Sequence, residues 1–217
     1  MLLELKGVAK DYGAGTIIND VSLMLDRGQS LAVSAPSGAG KSTLLSIAGL
    51  LLVPSAGALL LDGENMANAS DEARSRARAE KVGFLFQHTQ LVGTLRAIEN
   101  VTVAAGFVHD PALKMADAEA DARARALLES LGVGERMYYY PHQLSVGQKR
   151  RVATARALLL KPPLIIADEP TNDLDAENAK IVVNALFERV EKGEAALLFA
   201  THDPELAARA DEVLYLK

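Results

Sequence analysis

The stretch Ala35-Pro36-Ser37-Gly38-Ala39-Gly40-Lys41-Ser42-Thr43 lies between the apolar run Ser30 to Ser34 and a helix-compatible segment, Leu44 to Ala48. A strand that passes through a glycine-bearing loop straight into a helix confines the chain to a small set of α/β folds. It is also the context a phosphate-binding loop requires. Successive backbone N–H groups curl around an anion there, and the helix start adds unpaired donors and the positive end of its dipole. In that reading Lys41 reaches the β- and γ-phosphates, the Ser42 hydroxyl holds Mg²⁺, and Thr43 is a helix-start residue beside the phosphates. One position departs from G-x-x-x-x-G-K-[ST]: Ala35 stands where the first glycine belongs. If that site needs φ > 0, alanine costs about 1–2 kcal/mol. An ordinary Gly/Ser turn before a helix is the competing reading.

With 217 residues, the length suits one domain, or one domain with a sizeable insertion. Hydrophobic residues make up 49 % and aromatics only 5 %, so an aliphatic core is expected. The net charge of −5 argues against nucleic acid as the main partner. Arg74, Arg76 and Arg78 are interspersed with Asp71, Glu72 and Glu80, which reads as a mixed solvated face. There is no cysteine, which removes disulfide and thiol chemistry and fits a reducing compartment. The N-terminus lacks a signal-peptide pattern. Leu44 to Leu61 is long and apolar, but Pro54, Ser55 and Gly57 divide it into helix, turn and strand. A soluble chain is expected, with any membrane role supplied through a partner.

Leu2 to Leu5 and Val21 to Leu25 alternate as half-buried strands do, separated by a turn at Tyr12 to Gly15. Asp26 to Gln29 reads as a second turn, residues 70–80 as a helix, and Val82 to Phe86 as a buried strand ending at Gln87. From His88 the glycine and strand signals thin out, and residues 88–160 read as a mostly helical insertion. Strands return at Leu164 to Ala167 and Ala195 to Ala200, with a helix over residues 176–191 between them. Both runs are continuously apolar, as in a parallel sheet covered on both faces.

Leu164 to Ala167 ends in Asp168-Glu169, placing two carboxylates at the carboxyl edge of the sheet, where ligands bind in such folds. Asp168 is the candidate Mg²⁺ ligand, and Glu169 the candidate general base for an attacking water. Leu144-Ser145-Val146-Gly147-Gln148 contains an S-x-x-Q capping box, so a helix should begin there and end near Lys161-Pro162-Pro163. That helix start, with its serine and glycine, is a second anion site, but it has no equivalent of Lys41. The economical explanation is that it serves a nucleotide bound by another copy of the protein.

In these motifs the sequence resembles the ATP-binding cassette (ABC) family over nearly its whole length and in order. Lys41-Ser42 matches Walker A, Gln87 the Q-loop, Leu144 to Gln148 the signature motif, and Asp168-Glu169 Walker B. Asn172-Asp173-Leu174-Asp175 matches the D-loop and His202 the switch histidine, and Tyr12 falls where the family stacks an aromatic on adenine. The resemblance implies an α/β fold with a P-loop NTPase core of mixed or parallel sheet, an antiparallel N-terminal part and an inserted helical subdomain. The core would be about residues 1–87 and 161–217, and the helical subdomain about 88–160.

It also implies ATP and Mg²⁺ as ligands, and two cassettes closing head to tail around two ATP molecules. The loop from Ala35 to Thr43, Pro36 and Ala39 included, would hold one subunit's nucleotide. Ser145, Gly147 and Gln148 of the other subunit would complete the site. Gln87 would reach Mg²⁺ and the water, His202 the γ-phosphate, and Asp175 would join the two sites. Val146 replaces the first glycine of LSGGQ, a second departure from the family pattern.

The expected role is an ATPase subunit, paired with an identical copy, that drives separate membrane subunits from the cytoplasmic face. The run Ile166 to Asp175 is most similar to the lipoprotein-release and macrolide-export group, which handles hydrophobic cargo. Two alternatives stay open: a soluble family member with a non-transport role, and a regulatory ATP-binding module with little turnover. Tyr138-Tyr139-Tyr140 reads as packing of the helical region, and His88 to Asn100 as the stretch that meets the membrane subunit.

Overall fold

The computed structural model describes all residues except Ala14, Ser37 and Lys217, together with the side chain of Thr16. Two sheets organise the chain. Strands β1 (Leu3–Asp11), β2 (Thr16–Leu25), β4 (Ala56–Leu61) and β5 (Glu64–Asn65) form an antiparallel sheet in the order β2-β1-β4-β5. Strands β3 (Ser30–Ser34), β6 (Val82–Leu85), β7 (Leu164–Asp168), β8 (Ala196–Ala200) and β9 (Glu212–Tyr215) form a parallel sheet in the order β6-β7-β8-β3-β9. The apolar runs at residues 164–167 and 195–200 become β7 and β8, every residue of which is buried. The alternating segments at 2–5 and 21–25 become parts of longer strands, because bulges near Val8 let β1 run on past its alternating start.

Helix α1 (Lys41–Ala48) lies between the sheets: Leu44, Leu45 and Ile47 pack with Leu3, Leu5, Leu59 and Leu61 on one side and Ile166 and Leu198 on the other. Burying each such aliphatic side chain stabilises the fold by roughly 1.5–3 kcal/mol. The other face of the parallel sheet is covered by α6 (Ala176–Glu191) and the short α7 (Pro204–Ala207), through Val182, Leu186, Phe187 and Leu206. Helix α6 has the bounds the spacing predicts, with Asp175 accepting from the Asn178 N–H at its start.

Helix α2 (Asp71–Lys81) precedes β6 and keeps no buried residue, as its mixed charges lead one to expect. The segment after β6 is helical: α3 (Ala97–Thr102), α4 (Asp117–Ser130) and α5 (Val146–Leu158), joined by short 3₁₀ turns. These three share a core of Ala97, Ile98, Val101, Ala124, Leu128, Val152, Ala155 and Leu159. Helix α5 also gives Ala153 and Leu158 to the cluster beneath the parallel sheet, so it belongs to both packing units. The result is a mixed α/β architecture with an antiparallel sheet, a parallel sheet and a helical segment inserted between β6 and β7. No helix among the described residues is long and apolar enough to cross a membrane.

Candidate active site

The loop between β3 and α1 turns on left-handed glycines, Gly38 at φ 83° and Gly40 at φ 89°. Gly40 stands at the N-cap of α1 with no side-chain cap, so the first N–H groups of the helix are left for a ligand. A Cβ on Gly40 would approach Ile17 Cγ2 to 2.9 Å and the Ile17 carbonyl to 3.1 Å, so close packing as well as φ calls for glycine. Ala35 is not among the residues with positive φ, so the strain considered from the sequence does not arise and alanine fits that backbone. Ser37, a predicted member of the loop, lies outside the described residues, as does Ala14 in the predicted turn after Tyr12.

A cavity of about 250 Å³ opens over this loop, lined by Ile17, Gly38, Gly40, Lys41, Ser42, Thr43, Gln87, Asp168 and Glu169. Residues from four separate stretches of chain therefore converge on one space. Lys41 Nζ donates to the Ala35 carbonyl at 2.8 Å and lies 3.5 Å from the Pro36 carbonyl. It is also 3.8 Å from Glu169 Oε1, with both side chains about nine-tenths buried. Glu169 Oε2 lies 2.8 Å from His202 Nδ1, which joins the predicted switch histidine to the predicted base. Glu169 adopts φ 46°, a left-handed conformation costing a non-glycine residue about 1–2 kcal/mol. Strain of that kind persists where the surroundings over-determine it, and here it turns the carboxylate off the end of β7 between Lys41 and His202.

Burial pushes the Asp168 carboxyl above its ordinary pKa; the Ser42 hydroxyl opposes this, the neighbouring Glu169 charge adds to it, and Lys41 opposes it. Asp168 Oδ1 is buried with no hydrogen-bond partner. An orphaned carboxylate oxygen beside a serine hydroxyl and the Gln87 amide is an all-oxygen donor set suited to a hard divalent cation that keeps waters and phosphate oxygens as further ligands. No group of three or more His, Cys, Asp or Glu side chains that could enclose a metal occurs among the described residues. The residues present thus fit Mg²⁺ held jointly with a phosphate ligand.

Other predicted residues lie off this cavity. Tyr12 is exposed, with Lys10 Nζ 5.2 Å from its ring centre. Ala39 lines a neighbouring groove with Ile18, Asp20 and Tyr215. Ser145, Gly147 and Gln148 sit at the start of α5, where the capping box forms as predicted: Ser145 Oγ accepts from the Gln148 N–H at 3.2 Å, and Gln148 Oε1 accepts from the Ser145 N–H at 2.9 Å. Ser145 is exposed and none of these three lines the Lys41 cavity. A Cβ on Gly147 would come within 2.8 Å of Asn178, whereas Val146 points outward and is 55 % exposed. The glycine that is present is therefore the one packing demands, and the missing glycine falls where bulk is tolerated. Asp175 accepts from the Asn178 N–H and Nδ2, which hold its carboxyl below the usual range and place it beside the α5 start.

Two residues with structural claims on the site were not singled out from the sequence. Ile17 forms an apolar wall of the cavity. Arg150, inside the charged run Lys149-Arg150-Arg151, is 2 % exposed and donates to the Phe86 and Gln87 carbonyls at 2.6 Å each. Its spacing from Gly147, Thr154 and Ala157 puts it on the inner face of α5, and that period was the available signal.

Comparison with known proteins agrees with this geometry. A family profile described as ABC transporter matches residues 18–172. The chain is 40 % identical over 221 residues to the lipoprotein-releasing system ATP-binding protein LolD of Shewanella oneidensis, covering 100 % of this chain and 94 % of that protein. It is also 40 % identical over 221 residues to the ABC transporter ATP-binding protein YbbA of Escherichia coli, covering 99 % and 94 %. Among solved structures, a dimeric post-hydrolysis state of the ATP-binding cassette MJ0796 bound to ADP and Pi superposes with a TM-score of 0.93 at 33 % identity, covering 100 % of this chain and 94 % of that one. With Lys41, Ser42, Gln87, Asp168 and Glu169 gathered on one cavity and similarity running the length of the chain, the protein belongs to the ABC transporter family.

Proposed function

We propose that this ABC ATPase subunit works as one of two cassettes that close head to tail around two ATP molecules and thereby drive separate membrane subunits. The observation that carries the reading is the separation of two anion-ready helix starts. The start of α1 faces a cavity equipped with Lys41, Asp168 and Glu169, while the start of α5 offers an exposed Ser145 away from it. The dimeric MJ0796 cassettes that the chain resembles support this arrangement.

In the proposed reaction the α1 N–H groups and Lys41 bind the ATP phosphates, and Lys41 leaves the Ala35 carbonyl to do so. Ser42, Asp168 and Gln87 would hold Mg²⁺, which supplies charge neutralisation at the phosphates. Glu169 accepts a proton from the attacking water, and His202, bonded to it, orients the carboxylate and then meets the γ-phosphate. Ser145 and Gly147 of the second cassette close the site from the other side, and Asp175 joins the two sites. Tyr12 stacks on the adenine, a contact worth about 1–3 kcal/mol.

The same proposal divides the chain into a core of about residues 1–87 and 161–217 and a helical part of about 88–160, in line with the separate cluster around Ile98 and Leu128. Between them lies a groove of about 540 Å³, lined by Arg78, Phe84, Val92, Phe107 and Leu160 among others. Val92 and Phe107 are exposed there, which suits an apolar segment of a membrane subunit. A peripheral location on the cytoplasmic face belongs to the same proposal. Cargo of the lipoprotein class, named for the LolD relatives, is the corresponding expectation. A non-transport role and a module without turnover are the weaker readings, because the relatives are transporter ATP-binding proteins.

The test is Glu169→Gln. Hydrolysis is expected to fall by about 10²–10⁴-fold while an ATP-dependent dimer persists on size exclusion. A variant that hydrolyses normally, or one that binds ATP without ever dimerising, sinks the proposal.

A further inference from the structure

The guanidinium of Arg150 is a fully buried charge that the reaction above does not use. Its two terminal nitrogens donate to consecutive carbonyls, Phe86 and Gln87, at 2.6 Å each, while its Nε has no partner. Burial lowers its pKa, and the charges of Asp173 and Asp168 oppose that in part. Six residues further along α5, Arg156 donates to the Thr89 and Gln90 carbonyls at 2.8 and 2.9 Å. The backbone of residues 86–90 is therefore pinned to α5 at two points. The C-terminal half of α5 rests on β6: a Cβ on Gly83 would overlap the Ala157 carbonyl. The same helix carries Ser145 at its N-cap, about one and a half turns before Arg150.

A bidentate, charge-assisted pair of hydrogen bonds from a desolvated arginine is strong and directional, and breaking it leaves two carbonyls and a buried charge unsatisfied. It links backbone that carries Gln87, a wall of the Lys41 cavity, to the helix whose start lies outside that cavity. We propose that Arg150 is a positioning residue that ties the signature helix to the Gln87 loop, so that the two shift as one piece and nucleotide at one site is reported to the Ser145 end serving the other. The tie itself follows from these hydrogen bonds; the report to a second site rests on the shared-site reading given above. Arg156 holds the same loop nearer the fixed end of α5, so it anchors the segment where the lever moves least.

The 217-residue chain contains no cysteine, so spin labels can be placed at His88→Cys and Lys149→Cys without background. Their separation is expected to stay single and narrow when MgATP is added. With Arg150→Met it is expected to broaden or split, while the affinity of the single chain for MgATP stays unchanged and turnover falls about 10- to 100-fold. The Hill coefficient for ATP is expected to drop from about 2 toward about 1. Arg150→Lys keeps the buried charge but cannot hold both carbonyls, so it carries the same expectation in weaker form should Arg150→Met fail to fold. Unchanged label separation and Hill coefficient in a folded variant overturn the proposal. A Hill coefficient of about 1 in the unmodified protein, with the label separation still narrow, overturns the report to a second site along with the shared-site reading and supports the tie.

Discussion

The starts of α1 and α5 are built from similar small residues and face opposite requirements. At α1 the N-cap is Gly40, left-handed and without a side-chain acceptor, with no acid in the first turn and Lys41 beside it. No side chain caps its donors, and the Lys41 charge beside them favours an anion. At α5 the N-cap is Ser145, whose hydroxyl and whose Gln148 partner already satisfy two of the end groups. Helix α6 makes a third case, since Asp175 supplies its own carboxylate to the donors. A helix start left uncapped by its own chain keeps its donors for a phosphate, and Lys41 adds to that at α1, whereas a self-capped start has already committed part of its donors.

Substitutions at these three starts sharpen or break that contrast. The largest effect is expected for Lys41→Ala: losing a charged hydrogen bond to phosphate should weaken ATP binding by the isolated chain by about 1.5–3 kcal/mol, read by fluorescent-nucleotide titration. Ser145→Ala should leave that affinity untouched; equal weakening by both variants would erase the distinction. Instead, Ser145→Ala should lower stability by about 1 kcal/mol through loss of the cap. In a chain of this size that is a fall in Tm of about 2–4 °C by calorimetry.

Asp175→Ala should give a smaller fall in Tm, and one that depends on pH. The native Asp175 pKa lies below 3.8, so its cap contributes fully above 3.8 and is lost as pH falls through the native value. The Tm gap between the two proteins should therefore close in strong acid, and a gap that persists there would show that the carboxylate charge is not what matters. The smallest effect is expected for Ala35→Gly, because Ala35 does not occupy the left-handed region. Turnover should not rise, and stability should drop by about 0.5 kcal/mol from added freedom of the unfolded chain.

Much of this was legible because local patterns and global fold agree. The continuous apolar runs at 164–167 and 195–200, the period of 176–191 and the S-x-x-Q box each report a requirement that neighbouring residues impose on one another. Leu164 to Glu169 is the clearest case: a run buried along its whole length had to lie between covered faces, so its two acids had to emerge at the sheet edge. The helical period could place Arg150 on the inner face of α5, but not its partners, which are carbonyls more than sixty residues away and carry no sequence signature. The strain question at Ala35 and the left-handed turn at Glu169 were equally hidden, since φ at a non-glycine residue is imposed by surroundings rather than by residue type.

By itself the sequence determined which residues could bind phosphate, hold a cation or accept a proton, and the order in which they come along the chain. Those properties belong to side-chain chemistry and short-range periodicity, which act over a few residues. The tertiary structure alone decided which of them share a cavity: Lys41, Gln87, Asp168 and Glu169 meet there, and Ser145 does not. That choice depends on packing α1 between two sheets and α5 against β6, and contacts between segments so distant in the chain are settled only when the whole core closes.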